Sequence, residues 1–315
     1  MSQFYRDGQP VSSSTNIRCG RRMSIVDVLA DISMKYQQKI DEGKETKENA
    51  EVLKESINEA NFGFLHIKAF VDKLDGEALV LEVGCGSGLL LAMIKEHNES
   101  ISAEGIEPFG NGFDYFKPLN SHVKKQGVAI HNVAYEDFDS NKTYNLIYSV
   151  NVFEHFDEWK NFLGFVENKL SQNGVCVILC TNFGFPYVPH FSFPFIATKK
   201  ITEKIFGSYI SKFEQEKNFF GRWDSLNFVK LSQVKREIKN RSTLDLKVIH
   251  SITNELIERA SYDEAFGKRH KIVGFAGKFL KSVGLTHLLK LPVFENFQPY
   301  MMLELRLKKA FQKTS

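Results

Sequence analysis

The chain has 315 residues, a hydrophobic content of 43%, a charged content of 25% and a formal net charge of +3 at pH 7. This composition is that of a globular protein with room for a sizeable core, and it excludes a disordered or fibrous chain. The four cysteines are scattered and predict no disulfide framework or zinc finger, while the absence of a signal pattern and of an apolar run of about 18 residues makes the cytoplasm the expected compartment.

The first 60 residues are expected to be a polar start followed by helices. Residues 1–22 are rich in polar side chains and end in a small basic group, so we predict a mobile start. Apolar residues recur at helical spacing in residues 23–40 and again in residues 48–74. These helices are expected to pack against a sheet or to cover a ligand at its edge.

A strand, a glycine turn and a helix are predicted over residues 78–95. Residues 78–83 form an apolar run typical of a buried parallel strand, and Glu82 lies near its carboxyl end, where open α/β sheets bind ligands. Residues 89–95 are predicted to open a helix whose free N–H groups would face the ligand. Three glycines between strand and helix, Gly84, Gly86 and Gly88, allow a tight turn and a close approach to a ligand. Cys85, between the first two, is expected to be a small residue of this turn.

The spacing of these glycines limits the classes of ligand that the turn can bind. A dinucleotide fingerprint requires a glycine at the position that Leu89 occupies, so that pattern fails. The chain instead has an acid, Glu82, two residues before the first of three alternating glycines. A carboxylate there would repel a pyrophosphate, whereas it suits a ligand that carries an ammonium group.

Further strands follow in order. Residues 101–106 predict the second strand, and Glu107 lies about 20 residues after the glycines, the offset at which an acid binds ribose hydroxyls in nucleotide-binding folds. Three more strands are predicted over residues 127–131, 144–149 and 174–180, the last after a turn at residues 171–174.

Residues 60–182 together resemble the class I S-adenosylmethionine-dependent methyltransferases, and within them the small-molecule O-methyltransferase branch. The resemblance implies an α/β fold, namely a doubly wound, mostly parallel, seven-stranded Rossmann-like sheet with N-terminal helices and a helical, aromatic-rich insertion after the fifth strand. It implies S-adenosyl-L-methionine as the cofactor, with Glu107 on the ribose hydroxyls and the loop at Tyr135 and Glu136 beside the adenine. The implied cofactor-binding residues are Glu82, Gly84, Cys85, Gly86, Gly88, Glu107, Tyr135, Glu136 and Asn151.

Candidates for catalysis follow the fourth strand. The resembled family commonly has a Glu-His pair there, near the methyl donor, and Glu154 with His155 matches it. A hydroxyl acceptor benefits from a base, and histidine is readily tuned near neutral pH, so His155 is the first candidate and His190 the second. Glu154 would orient His155 or serve the acceptor directly. The alternative for His155 is a capping or core role, and no spacing of His, Asp and Glu demands a metal, so none is predicted.

An apolar loop follows the fifth strand. Residues 181–195 contain three prolines, which forbid a central strand or a helix interior, together with several phenylalanines. The loop leaves the sheet edge that carries the glycine turn, so we predict a wall or lid of the acceptor pocket, with Asn182, Tyr187 and His190 as its polar groups. The alternative is an aromatic loop that only seals the domain.

The C-terminal part is predicted to complete the sheet. Residues 196–240 look largely helical, residues 244–249 predict a sixth strand and residues 298–307 predict a last strand. The resemblance implies that this last strand is antiparallel and lies near the fifth. Residues 268–291 form a basic amphipathic segment, which would either contact lipid head groups or be the solvated face of a packed helix.

The expected organisation is an N-terminal segment over residues 1–60, a cofactor-binding core over 61–182, a substrate-recognition insertion over 183–243 and C-terminal strands over 244–315. The expected function is methyl transfer to a hydroxyl oxygen of a small acceptor that is aromatic, lipid-linked or a sugar. A protein-modifying methyltransferase and a non-catalytic binding domain of the same fold stay open as alternatives. No RNA-binding module is visible, so no nucleic acid partner is expected, and the oligomeric state stays open.

Overall fold

The computed structural model describes Met34 and residues 47–109, 120, 123–124, 127–217, 220–252, 255 and 295–309. Three sequence-based expectations therefore lie outside the described residues. They are the polar start at residues 1–22, the first predicted helix apart from Met34, and the basic amphipathic segment at residues 268–291.

The strands form one large sheet and one small hairpin. They are β1 (Leu79–Val83), β2 (Ser102–Ile106), β3 (Ala129–His131), β4 (Tyr144–Val150), β5 (Leu170–Thr181), β6 (Tyr187–Val188), β7 (Phe193–Pro194), β8 (Leu244–Val248) and β9 (Tyr300–Leu307). The sheet has seven strands in the order β3-β2-β1-β4-β5-β9-β8, and β6 pairs only with β7. Neighbouring strands of the sheet are parallel except β9, which runs antiparallel to β5 and β8. The expected mostly parallel sheet and the antiparallel last strand beside the fifth are both confirmed.

Helices cover the sheet on both faces. They are α1 (Lys47–Val71), α2 (Leu89–His97), α3 (Trp159–Lys169), α4 (Lys199–Lys217), α5 (Arg222–Ser225) and α6 (Leu231–Asn240). The apolar sides of α1 and α2 fill one core with the sheet, and those of α3 and α6 fill a second core on the opposite face. No helix within the described ranges is both long and apolar enough to cross a membrane.

The alternation of side chains along β5 shows how one strand supplies both cores. Val177 and Leu179 belong to the core under α1 and α2, whereas Cys176, Ile178 and Cys180 belong to the core under α3 and α6. All five side chains are buried, as expected for a central parallel strand covered on both faces. The two cysteines therefore share one buried face of the strand, as their spacing predicts.

The segment after β5 builds a third core of its own. The β6–β7 hairpin, α4 and α5 bury their aromatic rings against one another: Phe193 stacks on Phe206 at a centroid distance of 4.5 Å, and Phe195 stacks on Phe228 at 4.9 Å. These rings fill the interior of the insertion, which agrees with the alternative that the aromatic loop seals the domain. That the loop also forms a wall or lid of the acceptor pocket stays a prediction.

Several predicted boundaries differ from the observed ones for local reasons. Gly127 has φ 77° and makes a turn, so β3 begins only at Ala129. The turn predicted at residues 171–174 is instead an irregular part of β5, because Tyr144 pairs with Leu170 while Leu146 pairs with Val175. The first helix of the described chain, α1, continues through residue 60, where the N-terminal segment was expected to end.

Candidate functional site

The glycine turn lies at the carboxyl end of β1, as predicted, and its backbone is left-handed at each glycine. The φ angles are 77° at Gly84, 51° at Gly86 and 77° at Gly88, and α2 starts directly after the turn. A Cβ added to Gly84 would lie 2.3 Å from a methyl carbon of Val152, in the loop after β4. The turn therefore packs closely against the loop that carries the candidate catalytic residues.

Glu107 holds this turn from the end of the neighbouring strand. Its Oε2 accepts a hydrogen bond of 2.8 Å from the backbone N–H of Gly86, and its Oε1 accepts one of 3.2 Å from the N–H of Phe109. Burial raises the pKa of the Glu107 carboxyl above its ordinary value, and the two backbone hydrogen bonds oppose that change. The residue predicted to bind ribose hydroxyls is thus buried at the edge where β1 and β2 end.

Glu82 is also buried, below the same turn. Tyr148 donates a hydrogen bond of 3.1 Å to Glu82 Oε2, and the backbone N–H of Leu91 in the first turn of α2 also donates to this carboxylate. Burial raises the pKa of Glu82 well above its ordinary value, and the carboxylate of Glu107 raises it further. Glu82 therefore places a buried carboxyl group beneath the glycines, held by the hydroxyl of Tyr148.

These two carboxylates fit a positively charged ligand. Both are buried, they repel each other, and neither forms an ion pair with a lysine, arginine or histidine among the residues that the structure describes. A buried carboxylate without a cationic partner is costly, so a bound group with positive charge and hydroxyl donors would lower that cost. The sulfonium and ammonium groups of S-adenosyl-L-methionine and its ribose hydroxyls meet this requirement.

Other predicted cofactor contacts occupy different environments. Cys85 is buried with its sulfur against Gly105 of β2, where an added Cβ would lie 2.7 Å from Sγ, so it serves as a small packing residue. The ring of Tyr135 packs in the core on Phe156 and Phe162, and its hydroxyl donates to a backbone carbonyl. Glu136 is exposed. The ring of Tyr135 is thus committed to the core.

Asn151 and one residue that the sequence did not indicate border the same edge. Asn151 turns the chain out of β4 with φ 56°, and its side-chain N–H donates 2.7 Å to Glu59 of α1. The side-chain amide of Asn120 lies 3.4 Å from the carbonyl of Gly86 and is buried. Asn120 belongs to no recognisable motif, so only the fold reveals its place beside the turn.

Glu154, His155 and His190 come together next to this edge. Their potential ligand atoms all lie within 4.8 Å of one another. His190 Nε2 lies 3.9 Å from Glu154 Oε1, and the rings of His155 and His190 are perpendicular with centroids 5.2 Å apart. The three residues named as catalytic candidates are therefore one cluster, although His190 comes from the insertion and the other two follow β4.

The cluster is held in place by the insertion. Ser225 Oγ lies 2.8 Å from His155 Nδ1, and the backbone N–H of Asn227 donates 2.9 Å to the carbonyl of Glu154. The side-chain amide of Asn227 donates to the carbonyls of Phe153 and Phe156, which fixes the short 3₁₀ turn Phe153–His155. Neither Ser225 nor Asn227 carries a sequence signal, since Ser225 is an ordinary polar residue at the end of the short helix α5 and Asn227 is one in the loop after it.

The charges in the cluster are strongly affected by burial. Burial raises the pKa of Glu154 to about 7, and its Oε2 has no hydrogen-bond partner within the described part of the chain. Burial lowers the pKa of His155 to about 3, so its ring is neutral at physiological pH. The side chain of His190 is 15% exposed, and His155 is likewise of intermediate exposure, whereas Glu154 is buried.

Comparison with known proteins identifies the family. A family model described as a methyltransferase domain matches residues 59–189. An uncharacterized protein of Mycobacterium tuberculosis is 32% identical over 214 residues, which is 67% of this chain and 72% of that protein. The chain belongs to the class I S-adenosylmethionine-dependent methyltransferases. S-adenosyl-L-methionine is therefore its cofactor, and the resemblance read from residues 60–182 is confirmed.

Three further proteins that resemble this methyltransferase share less of its sequence. A ubiquinone biosynthesis O-methyltransferase of Rickettsia canadensis is 22% identical over 138 residues, or 39% of this chain and 56% of that protein. Among solved structures, phosphoethanolamine N-methyltransferase 2 of Haemonchus contortus with S-adenosyl-L-methionine has 14% identity and a TM-score of 0.47, and covers 78% of this chain and 51% of that chain. A cyclopropane synthase of Mycobacterium tuberculosis has 16% identity and a TM-score of 0.45, and the match covers 78% of this chain and 84% of that chain.

Proposed function

We propose that this methyltransferase transfers the methyl group to a hydroxyl oxygen of a small acceptor that is aromatic, lipid-linked or a sugar. The observation that supports this most is the cluster of Glu154, His155 and His190 beside the glycine turn. Val152 touches Gly84 and comes two residues before Glu154, so the groups able to take a proton lie next to the cofactor edge. Transfer to oxygen benefits from such groups, because a hydroxyl is a poor nucleophile until its proton is removed.

The cofactor would be held by groups at the ends of β1 and β2. We assign the ribose hydroxyls to Glu107 and the positive charge to the electrostatic field of Glu82 and Glu107. When bound, S-adenosyl-L-methionine supplies an activated methyl group, whose bond to sulfur breaks with its electron pair left on sulfur as the acceptor oxygen bonds the methyl carbon. The chain's own contribution is to hold the turn rigid and to align the acceptor with it.

The acceptor would meet the cluster through His190. Its side chain is 15% exposed, and its Nε2 lies 3.9 Å from Glu154 Oε1, whereas Nδ1 of His155 is already engaged by Ser225. We therefore assign the hydroxyl proton to this pair and give His155 the role of bordering it, which exchanges the first and second candidates of the sequence reading. The insertion over residues 183–243 supplies His190 and Ser225, which supports its assignment to substrate recognition.

A panel assay tests the proposal. The full chain would be incubated with methyl-labelled S-adenosyl-L-methionine and phenolic, prenyl-lipid and sugar hydroxyl acceptors, with amine and peptide acceptors beside them. Label should enter a hydroxyl compound, and His190→Ala should lower the rate about 10²- to 10⁴-fold while cofactor affinity stays constant. The control is His97→Ala, since His97 pairs with Asp72 on the surface, away from the cluster. Labelling of amine or peptide acceptors alone would overturn the proposal.

A further inference from the structure

Glu154, His155 and His190 have the composition of a metal-binding set. Two imidazoles and one carboxylate are the protein ligands of many catalytic zinc sites and of non-haem iron sites. No other group of three or more His, Cys, Asp or Glu side chains converges in this way within the described part of the chain. The separation of ligand atoms, up to 4.8 Å, requires only small side-chain movements to reach ordinary coordination distances.

The hydrogen bonds of Ser225 determine which nitrogen of His155 carries its proton. Ser225 Oγ donates its single hydroxyl proton to the carbonyl of Arg222 at 2.8 Å. In its 2.8 Å contact with His155, the serine oxygen must therefore accept, so Nδ1 of His155 is the protonated nitrogen. In the tautomer with the proton on Nδ1, Nε2 is the nitrogen that carries the lone pair which a metal ion requires. A histidine whose second nitrogen donates to a fixed oxygen is the usual arrangement behind a metal ligand.

Glu154 supplies an independent observation. Its side chain is completely buried, Oε1 accepts a 3.4 Å hydrogen bond from the N–H of Thr181, and Oε2 has no hydrogen-bond partner among the described residues. A buried carboxylate oxygen without a partner is costly, and coordination of a cation removes that cost. This oxygen belongs to the same cluster as the two imidazoles, so its missing partner lies where a metal would complete the set.

We propose that Glu154, His155 and His190 form a binding site for one divalent first-row transition metal ion, with Zn²⁺ as the representative. Mixed nitrogen and carboxylate ligands favour this class of ion over Mg²⁺ and Ca²⁺, which prefer oxygen alone. Three protein ligands leave a further position open, as in catalytic zinc sites. That position is next to the cofactor edge and would take a hydroxyl oxygen of the acceptor.

The catalytic role of the metal rests on the proposed function, whereas metal binding itself does not. A hydroxyl bound to a divalent ion loses its proton more readily, so the proton would leave to water without a free imidazole as the base. Free imidazole and metal ion are alternative ways in which the same three residues activate the same oxygen, and zinc binding distinguishes them.

Calorimetry on the full chain tests the site. The untagged protein would be dialysed against a chelator and titrated with ZnSO₄ and, separately, with MgCl₂. We expect one Zn²⁺ per chain and no binding of Mg²⁺. His190→Ala and Glu154→Gln should each weaken Zn²⁺ binding more than about 100-fold, and Ser225→Ala about 10- to 100-fold, the range for residues that orient a metal ligand. His97→Gln removes a histidine that also contacts a carboxylate and should change nothing.

The outcomes separate this proposal from the proposed function. Cofactor affinity, measured on every variant without zinc, reports whether the fold is intact. If Glu154→Gln does not fold, His190→Ala, in a loop that reaches the surface, tests the site in its place. Absence of zinc binding, or zinc binding that His190→Ala leaves unchanged, overturns the metal site whatever the enzyme methylates. A protein that binds one zinc but labels no hydroxyl acceptor keeps the site and overturns the proposed function instead.

Discussion

The carboxylate of Glu107 accepts a hydrogen bond of 2.8 Å from the backbone N–H of Gly86, across the gap between the ends of β2 and β1. This contact joins the acid expected to bind the ribose to the turn expected to border the cofactor. One side chain thus has two tasks, since it shapes the turn and supplies negative charge beside it. Substitution of Glu107 will therefore affect affinity through both.

Glu107→Ala is expected to weaken the affinity for S-adenosyl-L-methionine by at least about 10-fold, or 1.4 kcal/mol. The variant loses the ribose acceptor and leaves the N–H groups of Gly86 and Phe109 without their partner. Isothermal titration of the full chain measures the change. Glu99→Ala, at an exposed acid just after the C-terminal end of α2, is the control, and equal affinities of the two variants would contradict the assignment.

Glu82 predicts a dependence of stability on pH in the absence of cofactor. Its pKa is raised well above the ordinary 4.5 by burial and by Glu107, so between these values the folded state binds more protons than the unfolded state. The free energy of unfolding then decreases as the pH rises through this window. The melting temperature of the ligand-free protein should fall less steeply above about pH 4.5 in Glu82→Gln than in the wild type.

Two comparisons make the pH measurement specific. Glu136→Gln changes an exposed carboxyl and should leave the slope as in the wild type. Glu82→Gln should also bind S-adenosyl-L-methionine more weakly, because it removes negative charge from beneath the turn. A variant with an unchanged slope would mean that Glu82 does not titrate in this window.

Gly84→Ala should destabilise the protein by about 2 kcal/mol or more. Its φ of 77° costs an L-residue about 1–2 kcal/mol, and the new Cβ would overlap Val152, which adds the cost of overpacking. The matched control is Gly207→Ala in α4, where nothing lies within 4 Å of the added methyl group and helix propensity should stabilise by up to about 1 kcal/mol. Urea unfolding measures both, and similar values for the two variants would be inconsistent with this geometry.

A second substitution separates the two costs at this position. In a Val152→Ala background, the contacts of the new Cβ with the two methyl carbons at 2.3 and 2.5 Å are removed, but the contact with the Cβ of residue 152 at 2.8 Å and the strained φ remain. Gly84→Ala should then cost less than in the wild type and still more than zero.

The cofactor edge could be predicted from sequence because each of its parts is local. The glycine spacing after a buried strand defines the turn, and Glu107 follows the next strand at a fixed offset, since parallel strands bring their carboxyl ends to one edge. The cluster of Glu154, His155 and His190 is different, because His190 reaches Glu154 only through the packing of the whole insertion. Spacing along the chain therefore gave no reason to expect a metal at these residues.

The aromatic loop shows a second limit of sequence reasoning. Its apolar composition requires that the loop be buried. The same pattern of residues fits burial against a ligand and burial against other aromatic rings, so the sequence does not distinguish the two. In the structure Phe183, Phe191 and Phe193 are almost completely buried among aromatic neighbours of the insertion. Phe191 and Phe193 pack on rings of α4 and α5, and Phe183 packs on Phe228 after α5. No local signal connects these partners with the loop.

Phe191→Ala should therefore act on the insertion and leave the cofactor edge unchanged. The ring is fully buried against Phe213 and Trp223, and its removal should cost about 3–5 kcal/mol of stability. Because Phe191 follows His190 directly, turnover should fall as well, whereas the affinity for S-adenosyl-L-methionine should stay within about 2-fold, since the turn is built on other cores. Phe220→Ala, at a ring that is 58% exposed, should stay within about 0.5 kcal/mol of the wild type. If Phe191→Ala weakened cofactor affinity as much as Glu107→Ala, the insertion and the cofactor edge would be one cooperative unit.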